Sequence, residues 1–305
     1  MAFLFILIAA VLASLNNFFL RRSIDAGGTS KAYLVVQLTF SFLVMILLNP
    51  VRTDNYAWNS TAVELGIIGG ILLGLLMWSL GKALEKGPPG LTFAALNSSS
   101  VMPGIVMALL FGSALGHPYS IWQAVGSLLV ILGLFWAGWS HSHSHHKVQW
   151  AFLASFAFII HALFLIFLQW WALLLQSSTP LSALIPLHVD AGTVQWFMPT
   201  ILFIAALLQI VIYLIRVKRS PKRVEVLYGL FGGIANGACT FFLILAPQYA
   251  IGWENAMIFP IFSVAIIVIC NIWGQMLYQE RVNWKANAVC VFGLLIGTIT
   301  WSALS

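Results

Sequence analysis

The chain has 305 residues, of which 61% are hydrophobic and only 7% are charged, and its formal net charge is +6. A soluble domain carries about 25% charged residues, so this composition excludes a water-soluble globular protein. The positive charge does not indicate a nucleic-acid partner, because the basic residues lie in short gaps between apolar runs, where they set membrane topology. We predict an all-α integral membrane protein in contact with the lipid bilayer.

Ten apolar stretches are long enough to cross about 30 Å of hydrocarbon, which takes roughly 20 helical residues. They lack the period-two alternation of barrel strands, so each is predicted to be a transmembrane helix. Basic residues follow the first stretch rather than precede it, which predicts a spanning helix instead of a cleaved signal peptide. The stretches cover residues 2–20, 32–48, 63–84, 90–111, 121–139, 148–175, 196–215, 224–247, 253–278 and 284–303.

Lysine and arginine are distributed very unevenly over the loops between these stretches. The odd-numbered loops hold 13 of the 14 basic residues, and Arg52 is the exception. Because cytoplasmic loops carry the excess of positive charge, both termini are predicted to lie on the non-cytoplasmic side. The chain has no long targeting extension, so we expect a bacterial inner membrane.

The two halves of the chain share a glycine pattern. Gly66, Gly69 and Gly70 of the third stretch recur 163 residues later as Gly229, Gly232 and Gly233 of the eighth. A single glycine of this kind indicates only close helix packing, but the matched spacing predicts an internal repeat. Five helices is an odd number, so two copies in series must be inverted in the membrane, as in many secondary transporters. The predicted parts are a first repeat (1–140), a His-rich linker (141–147) and a second repeat (148–305).

The ends of the two halves resemble a known family. The segment from Trp273 to Gly297 has an apolar helix, a turn and a helix with a GxxxG-type ending, and the segment from Phe111 to Gly138 matches it, with His117 where an acidic residue is usual. This pattern is similar to the ten-helix, EamA-type members of the drug/metabolite transporter superfamily. The resemblance implies a central cavity enclosed by both halves, with the fifth and tenth helices outside it. That family is commonly drawn with cytoplasmic termini, whereas the charges here predict the opposite.

Polar and ionisable side chains inside spans are costly, and are therefore the candidates for function. His161 is also a candidate for carrying a coupling proton, as is Glu254. A polar band from Asn97 to Ser100 lies one turn before Pro103, and a proline frees a carbonyl that can face a cavity. The predicted cavity residues are Asn16, Gln37, Asn97, Ser98, Ser100, His161, Asn236, Glu254 and Asn255.

Each candidate also has a structural interpretation. Asn and Gln side chains, including Gln209 of the seventh stretch, often make interhelical hydrogen bonds, and Glu254 is placed to cap a helix. Asn271 and Gln275 share one helix face, which is either cavity or helix contact. Trp78, Trp170 and Trp171 lie deep in their spans, where they either stack on a substrate or contact lipid or the core.

The sequence predicts no enzyme and no cofactor. It has no nucleophile–base pair and no phosphate-binding glycine loop, and Cys239, Cys270 and Cys290 show no disulfide or metal spacing. The histidines at 141–146 predict a solvated linker, with zinc or nickel binding as the alternative.

We therefore expect a secondary transporter that moves a small neutral or zwitterionic molecule by alternating access. A membrane scaffold and a membrane-embedded enzyme are the alternatives. The sequence leaves the coupling partner (a proton or a counter-substrate) and the oligomeric state (a monomer or a homodimer) open.

Overall fold

The computed structural model describes residues 1–86, 89–111, 120–139, 147–175, 189–250, 254–278 and 283–298. Every regular element in these ranges is a helix. The His-rich tract at 141–146 and the segment around His117 lie outside the described residues. The α-helices are α1 (Ala2–Asp25), α2 (Ser30–Ile46), α3 (Ser60–Lys86), α4 (Pro89–Ser98), α5 (Met102–Phe111), α6 (Ile121–Trp139), α7 (Lys147–Leu175), α8 (Phe197–Arg216), α9 (Arg223–Tyr249), α10 (Glu254–Tyr278) and α11 (Trp284–Thr298).

Seven helices of the described chain are long and apolar enough to cross a membrane: α1, α2 with its last turn, α3, α7, α8, α9 and α10. The helices α6 and α11 contain shorter apolar runs. Large apolar side chains are exposed along whole helix faces, as Leu4, Leu7, Val11 and Leu15 are on α1. Soluble monomers rarely expose such continuous apolar surface, so the chain is an all-helical membrane protein.

The fourth predicted span is not one continuous α-helix. It divides into α4 and α5 around a 3₁₀ turn, Ser99–Val101. Pro103 has no N–H to donate to the carbonyl of Ser99, and the N–H of Met102 bonds to that carbonyl instead, over three residues. Serine hydroxyls that bond to nearby carbonyls weaken the helix further. The result is a polar break within an apolar span.

A second irregular turn ends α2. Residues Leu47–Val51 form a π-helical turn that contains Pro50. Because Pro50 cannot donate to the carbonyl of Ile46, the α-helical pattern cannot continue through it. π-Helical turns are often found at functional sites, and this one carries Asn49 and is followed by Arg52.

Glycines hold α3 close against α8. The contacts step along both helices by four residues, with Gly66, Gly70 and Gly74 against Thr200, Ile204 and Leu208. A Cβ on Gly70 would lie 2.6 Å from the Cβ of Ile204 and 2.8 Å from the carbonyl oxygen of Ile201. Only glycine allows this approach.

The helices α9 and α2 are joined in the same way. Gly229, Gly233 and Gly237 contact Val36, Phe40 and Val44. A Cβ on Gly233 would lie 2.5 Å from the Cβ of Phe40 and 2.6 Å from the carbonyl oxygen of Gln37. The glycines of the two seams are 163 residues apart, and their partners are 164 apart (Val36 and Thr200). The glycine pattern in the sequence thus corresponds to two equivalent helix contacts.

These contacts define two groups of helices. The α9 unit consists of α9 with α1 and α2, which both pack on it, and the α3 unit consists of α3 with α7 and α8, which both pack on it. Each unit therefore combines helices from both halves of the sequence. Outside the units, α10 packs on α1, α4 and α5 pack on α7, and α6 packs on α11.

Candidate functional site

A cavity of about 380 Å³ lies between the two units, at the end of the bundle where α2, α7 and α9 end and α8 begins. We call this the cavity end. Arg52 and Thr53 on its rim are exposed, so the cavity opens to the surface there. Its polar lining consists of Asn49, Arg52, Thr53, Gln195, Gln248 and Tyr249.

The guanidinium of Arg52 is held in a defined position. Its Nε donates to the carbonyl oxygen of Leu48 at 2.8 Å, and its central carbon lies 5.3 Å from the ring centroid of Phe241. Arginine stacks well on aromatic faces. Among the described residues Arg52 makes no ion pair, and its two terminal nitrogens remain available.

Aromatic side chains form the inner wall of the cavity. Trp171 stacks on Phe197 with ring centroids 3.7 Å apart and planes at 11°, and both are about 1% exposed. Trp171 is therefore a core residue that also lines the cavity. Tyr249 lines it near the surface and contacts Phe5 edge-on at 5.6 Å, which places the start of α1 at the cavity end.

An ion pair lies at the opposite end of the bundle. Arg219, in the turn between α8 and α9, donates from its two terminal nitrogens to both carboxylate oxygens of Glu225, at 2.9 and 2.6 Å. Glu225 is fully buried in the first turn of α9. Hydrogen bonding to this carboxylate raises the pKa of Arg219 above its ordinary value, so the guanidinium stays charged.

The same carboxylate also binds the α1–α2 turn. Glu225 accepts from the backbone N–H of Thr29 at 2.7 Å and from its hydroxyl at 3.0 Å. The ammonium of Lys222 donates to the carbonyl oxygen of Gly27 at 2.8 Å, and the hydroxyl of Tyr213 in α8 donates to the carbonyl oxygen of Arg219 at 2.7 Å. We call Arg219, Glu225 and Thr29 the latch, because they connect the end of α8 in the α3 unit to the α9 unit.

His161 and the polar band, both predicted from the sequence, contact each other in the middle of the membrane-spanning region. The Nδ1 of His161 in α7 lies 2.6 Å from the hydroxyl oxygen of Ser99 and 3.0 Å from the carbonyl oxygen of Leu96. A carbonyl only accepts, so Nδ1 carries the proton and the hydroxyl of Ser99 donates to Leu96 as well, at 2.6 Å. Nε2 is then the basic nitrogen, and it has no hydrogen-bond partner among the described residues.

The rest of the polar band is buried beside this contact. Asn97 donates to the carbonyl oxygen of Phe93 at 2.8 Å, and Ser98 and Ser100 are fully buried. The hydroxyl of Ser100 finds no partner in the described part of the chain. The same holds for both amide atoms of Gln37, which is 1% exposed. Such unsatisfied groups are expected to bind water or a ligand.

Other candidates make interhelical hydrogen bonds. Asn16 accepts from the hydroxyl of Tyr33 at 2.8 Å, Asn236 donates to Ser41 at 3.0 Å, and Gln209 donates to the carbonyl oxygen of Gly74 at 2.9 Å. Asn271 donates to Asn287 of α11 at 3.0 Å, and Trp284 donates to Gln275 at 3.1 Å. The face shared by Asn271 and Gln275 is therefore a helix contact.

Glu254 is in the first turn of α10 and is partly exposed, as a helix-capping carboxylate would be. Asn255 follows it in the helix, but its side chain lies outside the described residues. The hydrogen bonds of His161 go to the break between α4 and α5 rather than to Glu254. His161 therefore contacts the polar band.

Among the described side chains, Trp171 is the one sequence candidate that lines the 380 Å³ cavity, and none of the predicted polar candidates does. The polar residues that line it were missed, although Arg52 had a signal: it is the only basic residue that the charge pattern assigns to its side of the membrane. Glu225 was also missed. It stands three residues after Lys222, at the spacing of a capping box, which indicates a helix start but not an ion pair.

Comparisons with known proteins indicate the fold. No family model matches the chain, and no curated protein sequence matches it. Among solved structures 28 chains match, one of which is described only as "Crystal structure of protein". That structure has a TM-score of 0.72 and 16% sequence identity, covering 100% of this chain and 98% of the other. At this identity the likeness shows a shared fold alone.

Proposed function

We propose that this chain is a secondary transporter of the drug/metabolite transporter superfamily, with ten membrane-crossing segments in two inverted halves. It moves a small neutral or zwitterionic molecule by alternating access. The observation that carries this proposal is the cavity between the α9 unit and the α3 unit, which opens at one end of the bundle, whereas the latch lies at the other.

The helix contacts support the inverted repeat. Exchanging α1 with α7, α2 with α8 and α3 with α9 converts the α9 unit into the α3 unit. The same exchange carries the α3–α8 glycine seam onto the α9–α2 seam, in the same register. Two similar units can rock about a central site into states that face opposite sides.

The charge distribution supports an orientation. The latch end holds the turns with Arg219 and Lys222, whereas Arg52 is the only basic residue assigned to the cavity end. By the excess of positive charge in cytoplasmic loops, the latch end is cytoplasmic. The cavity then faces the other side of the membrane, and the present conformation is outward-open.

His161 is the proposed coupling residue. Its ring is fixed through Nδ1 by Ser99 and Leu96, and Nε2 remains the site for a proton. Protonation would place a charge beside the break between α4 and α5, where Ser100 offers a free hydroxyl. Intramembrane histidines of this kind serve in proton relays.

Transport is tested with purified protein in proteoliposomes loaded with unlabelled leucine, phenylalanine and uridine. We expect saturable counterflow of at least one of the tritiated compounds. Gly81→Ala serves as a folded control, since a Cβ there meets only Leu34, at 3.8 Å. Absence of protein-dependent flux for every probe, with a sharp melting transition retained, would argue against transport of a neutral or zwitterionic molecule.

A further inference from the structure

We propose that the cavity binds an organic monocarboxylate, whose carboxylate pairs with Arg52 and whose apolar group lies against Trp171 and Phe197. As the transported substrate, this anion would take the place of the neutral or zwitterionic molecule proposed above, and that assignment rests on the proposal that the chain is a transporter. Binding itself does not require transport, so the two are tested separately.

Among the described residues, the lining of the cavity has one positive charge and no negative one. Arg52 supplies the positive charge, and none of the other described lining residues is charged. Arg52 is exposed on the rim, so water solvates its charge, but an anionic ligand gains an attraction to Arg52 that a neutral ligand lacks. The protein therefore provides a place for one anionic group.

The position of Arg52 favours a carboxylate. Its Nε donates to Leu48 and its face lies over Phe241, which leaves the two terminal nitrogens available to a ligand. Such a preordered planar group binds the two oxygens of a carboxylate with little further loss of side-chain entropy. A phosphate dianion would keep one charge uncompensated, because the remaining polar lining consists of neutral groups such as Asn49, Gln195 and Gln248.

The described lining offers no carboxylate to an ammonium group. An amino acid would present its amine only to amide oxygens and aromatic faces. These contacts replace hydrogen bonds to water, so the amine is expected to add little to the affinity. The ligand class is a carboxylic acid with an aromatic or branched apolar group, rather than an amino acid as such.

The inner wall provides the apolar contact. Trp171, Phe197, Met198 and Ile244 line the cavity on the side away from its polar rim. Its volume of about 380 Å³ lies at the lower end of the range for small-molecule sites, about 300–1,000 Å³. A ligand with a single ring and a short acid chain suits this size.

The test is calorimetric titration of the purified full-length protein with 3-phenylpropionate and with its neutral amide, 3-phenylpropanamide. Wild type is expected to bind the carboxylate at least tenfold more tightly than the amide, and L-phenylalanine no more tightly than 3-phenylpropionate. Arg52→Gln is expected to bind carboxylate and amide equally, at the wild-type amide level. The matched control is Arg22→Gln, which removes a guanidinium that lies 5.6 Å from the ring centroid of Phe18 near the latch end.

Three results would overturn the inference: equal binding of amide and carboxylate by wild type, unchanged carboxylate affinity in a folded Arg52→Gln variant, or no carboxylate binding up to its solubility limit. A melting curve of Arg52→Gln shows whether that variant is folded, and Arg52→Lys should recover part of the charge preference. Charge-selective binding without counterflow would keep this site and reject transport. Counterflow of neutral compounds that is unaffected by Arg52→Gln would support transport and reject this site.

Discussion

Arg219 holds both carboxylate oxygens of Glu225, at 2.9 and 2.6 Å, at the end of the bundle opposite the cavity. The carbonyl oxygen of Arg219 accepts from the hydroxyl of Tyr213 in α8, and the carboxylate of Glu225 accepts from the N–H of Thr29 in the α1–α2 turn. Through these bonds the turn between α8 and α9 contacts both units. We expect the pair to break when this end opens.

Replacing Glu225 should weaken the latch. In Glu225→Ala the guanidinium of Arg219 and the N–H groups of Thr29 and Lys222 lose their common acceptor, so the melting temperature should fall. The control is Glu64→Ala, because Glu64 is exposed on α3. Differential scanning fluorimetry compares the two, and equal melting temperatures would argue against a structural role for the latch.

The glycine seams predict a sharp contrast within one helix. Gly70→Ala places a Cβ 2.6 Å from that of Ile204 and should destabilise the protein by about 1–3 kcal/mol, the usual effect of overpacking. Gly81→Ala meets only Leu34, at 3.8 Å, and should be neutral or stabilising by up to about 1 kcal/mol through helix propensity.

Gly233→Ala tests the equivalence of the seams. It should behave like Gly70→Ala, because its Cβ would lie 2.5 Å from that of Phe40. Thermal unfolding of the three variants checks both statements. Equal melting temperatures for Gly70→Ala and Gly81→Ala would contradict the close approach of α3 and α8.

Much of the helical framework followed from the sequence. Apolar length alone placed the helix at 121–139, and the structure has Ile121–Trp139. The repeated glycines predicted close contacts, which are found in α3 and α9. The prediction worked because lipid leaves a long apolar run few alternatives to a helix.

The position of the cavity did not follow from the sequence. It depends on which helices separate at which end of the bundle. A polar residue inside a span can face either a cavity or another helix, and Asn16 and Asn236 both bond to another helix. The contact of His161 with Ser99 joins residues 62 positions apart. Ser98, Ser99 and Ser100 are adjacent in the sequence, and only the fold shows that Ser99 is the one that contacts His161.

Proton coupling should depend on His161. In His161→Gln the basic Nε2 is lost, so uptake driven by a pH gradient should fall at least tenfold while counterflow is retained. Gln209→Leu is the control: it breaks a buried interhelical bond to Gly74, worth around 0.6 kcal/mol on average, without removing a titratable group. Gradient-driven accumulation by His161→Gln at the wild-type rate would exclude His161 as the coupling site.

Alternating access is tested most directly by cysteine accessibility at the two ends. Gln248→Cys reports on the cavity, and Leu34→Cys reports on the latch end, where Leu34 is buried and faces Gly81 of the α3 unit. Both are placed in a background with Cys239, Cys270 and Cys290 replaced by alanine, and labelled with a maleimide. The account predicts fast labelling at Gln248→Cys and protection at Leu34→Cys, with the two rates moving in opposite directions when Glu225→Ala is added. Rates that stay unchanged, or that rise together, would contradict it.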